Sequence, residues 1–156
     1  MTRLSSTLAA SALILALGTA AMPLSALAQP VAVPVSAPGT TTIRLTFDTG
    51  AASGRIMVAL FNSEAAYSGG APIASAMVDV GAGQHVATFS DLPAGDYAMK
   101  AFHDVDGDGK MNTNPFGLPT EPYAFSNNAR GNMGPASWER AHFAASGTTA
   151  QTISLR

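Results

Sequence analysis

The chain has 156 residues, no cysteine, 12% charged residues and a formal net charge of −2. That length holds one domain with a real core, and disulfide bonds are excluded. The weak negative charge offers no clustered Lys and Arg of the kind that nucleic acid or an anionic membrane surface requires.

The chain begins Met1-Thr2-Arg3, continues through an apolar run over residues 8–24, and reaches Ala26-Leu27-Ala28 before Gln29. One positive charge, a hydrophobic segment and small residues at the cleavage positions make a secretory signal peptide. An uncleaved anchor is the competing reading, and Pro23 and the small-residue site stand against it. With no cysteine after the run, a lipid has no attachment point. The expectation is a signal peptide over residues 1–28, no integral membrane anchor after cleavage, and a periplasmic or secreted mature chain. Arg3 is the only charge in that leader, so the rest carries 7 basic against 10 acidic side chains, a net charge of −3.

Residues 29–40, with Pro30, Pro34 and Pro38 among small residues, read as an extended linker. A single domain then spans 41–156. Ile43, Leu45 and Phe47 alternate with Thr42, Arg44 and Thr46, the pattern of a half-buried strand. Asp48-Thr49-Gly50 is a turn, and residues 55–61 are an apolar run too short for a helix. Residues 63–67 suit one helical turn that Gly69-Gly70 ends. Strands are predicted over 74–80 and 85–89. Pro93 and Gly95 make a tight turn into a strand that puts Tyr97, Met99 and Ala101 on the core face, with Lys100 opposite. The last strands fall over 141–144 and 149–155. About seven short strands and no convincing helix predict an all-β sandwich of immunoglobulin or transthyretin type. Residues 105–137 show neither period and read as one long loop. Phe116, Tyr123, Phe125 and Trp138 argue that this loop is ordered.

The segment Phe89-Ser90-Asp91-Leu92-Pro93-Ala94-Gly95-Asp96-Tyr97 resembles the turn and strand of transthyretin-like, Cna-B-type sandwich modules. A denser match runs through Gly95-Asp96-Tyr97-Ala98, His103-Asp104, Gly109-Lys110, Asn112-Thr113-Asn114, Phe116-Gly117, Pro119, Glu121-Pro122, Phe125-Ser126-Asn127-Asn128 and Gly134-Pro135. It resembles a family of exported bacterial proteins catalogued as domain-of-unknown-function family 2141, from about Ile43 onward. That resemblance implies a sandwich fold and an exported location, and no established activity, catalytic residue or partner. The family often carries asparagine where this chain has Asp106 and Asp108, and an acid where it has Asn112.

The strongest chemical signal is His103-Asp104-Val105-Asp106-Gly107-Asp108-Gly109-Lys110. Carboxylates at alternate positions, closed by a glycine, build the first half of a calcium loop of the EF-hand type. Asp104, Asp106 and Asp108 take positions 1, 3 and 5, the Lys110 carbonyl position 7, and Asn112 position 9. Pro115 stands where the bidentate glutamate belongs, so Asn114 or Glu121 would have to close the shell. The bland alternative is a metal-free turn whose Asp side chains cap backbone amides.

His85, His103 and His142 lack the spacing of a transition-metal site, and no nucleophile motif is present. Tyr123, Phe125 and Trp138 are candidate ligand-binding residues for a glycan or an envelope protein. Their competing role is to pin the loop to the sheet. These readings favour an exported, non-catalytic binding or structural module of the cell envelope with a calcium-dependent loop. The alternative is an envelope hydrolase centred on His103, Asp104 and Glu121.

Overall fold

In the computed structural model, which describes residues 40–156, burial follows the alternation of β1 (Thr41–Asp48) residue by residue. Ile43, Leu45 and Phe47 are buried while Arg44 and Asp48 face solvent. The expected signal peptide and nearly all of the linker lie outside the described residues. β1 is the centre of a three-stranded sheet, antiparallel to β4 (Val86–Leu92) and parallel to β8 (Thr148–Ser154). The second sheet has the order β3 (Ala74–Asp79), β2 (Arg55–Phe61), β5 (Gly95–Asp104), β6 (Tyr123–Phe125). β7 (Phe143–Ala145) pairs with the start of β5.

These two open sheets make a β-sandwich. Ile43, Leu45, Ile56, Leu60, Met99 and Ile153 are fully buried in one cluster shared by both sheets. Each such side chain contributes about 1.5–3 kcal/mol on leaving water, and the cluster is the main source of stability in a chain without disulfides.

A second cluster covers the outer face of the five-stranded sheet: Phe61, Tyr67, Ala98, Phe125, Ala136 and Ala141, with Trp138 packed against it. Tyr67 comes from α1 (Glu64–Gly69), whose N-cap Ser63 accepts from the Ala66 N–H at 3.3 Å. Its ring stands edge-on to Phe61 and Trp138, with centroids at 5.5 and 5.8 Å. Its hydroxyl donates to the Ala136 carbonyl at 2.9 Å, and burial pushes the phenol pKa up to about 12. Lys100 lies 4.2 Å over the same ring and donates to the Tyr67 carbonyl at 2.6 Å. The face of β5 opposite Tyr97 and Met99 is therefore a small core of its own.

The sequence reading needs four corrections. The segment 105–137 is not one irregular loop, because β6 and a 3-10 turn (Ser126–Asn128) lie inside it. The strand expected over 141–144 is preceded by a short helix, α2 (Trp138–Ala141), and starts only at Phe143. β4 runs past Phe89 to Leu92. Phe116 does not pin its segment, since it is 88% exposed at a loop tip. Phe125 and Trp138 do hold theirs, through the second cluster.

Candidate metal loop and its surroundings

Where β5 ends, His103 and Asp104 are 0% and 1% exposed. The His103 Nε2 lies 2.7 Å from the Ser53 carbonyl oxygen and Nδ1 lies 3.1 Å from Thr49 Oγ1. A carbonyl only accepts, so Nε2 carries a proton, and in the neutral ring Nδ1 accepts from the threonine hydroxyl. Gly54 makes this possible. It sits at φ +92°, and a Cβ there would fall 2.6 Å from Nε2. His103 thus anchors the β1–β2 connection, and its backbone N–H donates to the Pro122 carbonyl at 2.8 Å.

Asp104 organises the loop that follows. Its Oδ1 accepts from the Gly107 N–H at 2.8 Å and its Oδ2 from the Gly109 N–H at 2.9 Å. Both glycines take positive φ, 82° and 78°, which lets successive amides turn back on one carboxylate. Asp106 Oδ1 accepts from the Asp108 N–H at 3.2 Å, and its Oδ2 accepts from Asn112 Nδ2 at 2.6 Å. Asp108 Oδ1 accepts from the Lys110 N–H at 2.8 Å. The Asn112 amide, then the Asp108 N–H, hold the Asp106 carboxyl below its ordinary range.

The result is a tight group of charge. One carboxylate oxygen from each of Asp104, Asp106 and Asp108 lies within 4.8 Å of the others. Their hydrogen-bond donors named above are all neutral amides. Each carboxylate oxygen offers two lone pairs, so acceptor capacity remains for a hard cation.

Glu121, 7% exposed, closes the loop from behind. Its Oε1 accepts from the Val105 N–H at 2.8 Å and its Oε2 from the Asn112 N–H at 3.0 Å. Asn114 is occupied as well, its Oδ1 accepting from the Phe116 and Leu118 amides at 3.0 Å. Both residues offered from sequence for the twelfth position therefore already hold backbone, Glu121 across the loop and Asn114 within a small hairpin.

The three aromatic candidates are not brought together at one surface. Tyr123 is 39% exposed with its ring edge-on to Phe125 at 5.7 Å, whereas Phe125 is buried. Trp138 belongs to the Tyr67 group and stacks on His142 at 5.6 Å. Sequence reasoning missed the work of Asn127 and Asn128, both at left-handed φ (59° and 52°). Asn128 Nδ2 donates to the Thr152 carbonyl at 2.9 Å and its Oδ1 accepts from the Ser154 N–H at 2.8 Å. Its amide so stands in for a neighbouring strand along part of the β8 edge, protecting it from further pairing. Asn127 exchanges two bonds with the Gln151 amide. The available signal was the Asn-Asn pair itself, since asparagine tolerates left-handed backbone better than most residues.

Fold and site together define a β-sandwich protein with an acidic loop at the end of a central strand. The chain belongs to the bacterial family DUF2141, described as an uncharacterized protein conserved in bacteria, whose profile matches residues 48–154. Comparison with curated proteins and with solved structures gave no significant match.

Proposed function

We propose that this chain is an exported, non-catalytic binding or structural module of the cell envelope whose Asp-rich loop takes calcium. The observation that carries the reading is the convergence of Asp104, Asp106 and Asp108 oxygens within 4.8 Å of one another with neutral donors around them. Mutual repulsion of three carboxylates is unfavourable in a bare turn and is relieved by a divalent cation. Asp104, Asp106, Asp108 and the Lys110 carbonyl would hold the ion, with Asn112 joining directly or through water. Calcium suits them because its oxygen shell is large and flexible, while magnesium prefers to keep its waters. With Glu121 and Asn114 engaged elsewhere, water would complete the shell, and the affinity falls in the weak extracellular range, about 10⁻⁴ to 10⁻³ M.

The hydrolase alternative is less well supported. His103 is 0% exposed with both ring nitrogens bonded, and Glu121, 7% exposed, has both oxygens turned to backbone amides. A general acid or base needs a free position facing a substrate. No helix among the described residues is long and apolar enough to cross a membrane, and export rests on the leader sequence.

Melting curves in 10 mM calcium and in chelator test the metal. At ten times the dissociation constant the folded state gains about 1.4 kcal/mol, a rise of roughly 5–6 °C for a domain of this size. The Asp106→Asn/Asp108→Asn double variant keeps the shape and loses most of that rise. No rise in the wild type, or an equal rise in the double variant, makes the loop a turn and nothing more.

A further inference from the structure

A cleft of about 170 Å³ opens beside β6, with Tyr123, Asn128, Arg130, Ser154 and Arg156 in its lining. The lining residues include two arginines and no aspartate or glutamate, in a chain whose net charge is negative. Both arginine backbones are fixed. The Arg156 carbonyl accepts from the Tyr123 N–H at 3.0 Å, and its own N–H donates to the Tyr123 carbonyl at 3.3 Å. The Arg130 carbonyl accepts from Arg140 Nη1 at 3.4 Å. Next to it, Gly131 meets the Gly134 carbonyl so closely that a Cβ has no room.

The Asn128 amide is spent on β8. The side-chain groups left to a ligand are the two guanidiniums, the Ser154 hydroxyl and the Tyr123 phenol. Tyr123 is 39% exposed, and its ring is braced edge-on by buried Phe125. A guanidinium fork matches a carboxylate in geometry as well as charge. A braced, half-open aromatic ring offers a flat apolar surface with a polar tip, which suits the face of a sugar. The volume is below the about 300–1,000 Å³ of drug-sized sites, so one sugar ring is the appropriate scale.

We infer that this cleft binds a carboxylate-bearing sugar, a single uronate unit of an acidic glycan. The inference rests on the binding-module reading above but not on its metal.

The test is amide-resolved titration of the ¹⁵N-labelled protein with glucuronate, glucose and inorganic phosphate, each in chelator and in calcium. Glucuronate should shift the amides of residues 123–131 and 154–156 saturably, with each charged hydrogen bond worth roughly a factor of ten and glucose, which loses both, roughly a hundredfold weaker. Arg130→Gln and Arg156→Gln should each weaken glucuronate by about tenfold while the remaining amides stay in place. Tyr123→Ala should weaken glucuronate and leave phosphate unchanged. Glucose binding as tightly as glucuronate overturns the inference, and so do arginine variants of full affinity. Phosphate as tight as glucuronate, with Tyr123→Ala affecting neither, shows an anion site without a sugar. Glucuronate binding without any calcium response would remove the metal reading and leave this one standing, and the reverse pattern would do the opposite.

Discussion

The sandwich core and the Asp-rich loop meet at His103 and Asp104, yet they are held by different means. In the core, Leu45, Ile56 and Met99 are shut between two sheets, and what holds them is apolar area removed from water. In the loop, Val105 is half exposed, Asp106 and Asp108 face solvent, and the order comes from carboxylates that accept backbone N–H groups. The first arrangement is insensitive to pH and ions. The second is made of charges, so protons and cations are its natural controls. If the loop takes an ion as proposed, the scaffold would stay fixed while this one rim responds.

The contrast is broken most strongly from the core side. Leu45→Ala removes a fully buried side chain and should cost about 2–5 kcal/mol in urea unfolding, equally in calcium and in chelator. A loss that calcium restores would show that the two regions are not separately held.

From the loop side the largest single effect should come from Glu121→Gln. The amide oxygen can still accept one of the Val105 and Asn112 N–H groups, but its NH₂ then faces the other. Leaving a partly buried donor without an acceptor costs about 1–3 kcal/mol, and hydrogen exchange at Val105 or Asn112 should quicken while the sheet amides keep their protection. Uniform quickening across the sandwich would place Glu121 in the scaffold instead.

These two regions also differed in how far the sequence disclosed them. Period-two alternation is written directly by one-sided burial, so β1 could be read to within two residues from Ile43, Leu45 and Phe47. β2 was recognisable because both its faces are covered. β6 was invisible for a physical reason: three residues carry no period, and Tyr123–Phe125 become a strand only because Lys100, Ala101 and Phe102 offer an edge. α2 was hidden similarly, since four residues around Trp138 are helical through packing on Tyr67 and not through propensity. At the site, the Asp spacing predicted the convergence of three carboxylates. It could not show that Glu121 is turned inward to the two backbone amides that bracket the loop, because that depends on the fifteen intervening residues folding back.

A smaller effect sharpens the comparison in acid. The Asn112 amide, followed by the Asp108 N–H, lowers the Asp106 carboxyl from its ordinary 3.8. A carboxyl depressed in the folded state stabilises it above the unfolded value and loses that contribution as pH falls through the lower folded value. Because Asp106 is exposed, the consequence for stability is slight and is best read by side-chain NMR titration. Asp106 should titrate below 3.8, and Asn112→Ala should bring it back up. Titration at or above the ordinary value in the wild type would remove Asn112 as its partner.

The calcium reading is tested most directly at the two amides that Asp104 holds. In a ¹⁵N-resolved calcium titration, Gly107 and Gly109 should shift together and saturate with a dissociation constant of about 10⁻⁴ to 10⁻³ M, while the amides of β1 and β2 stay still. Small, unsaturating shifts spread over the whole surface, or none at Gly107 and Gly109, would contradict it.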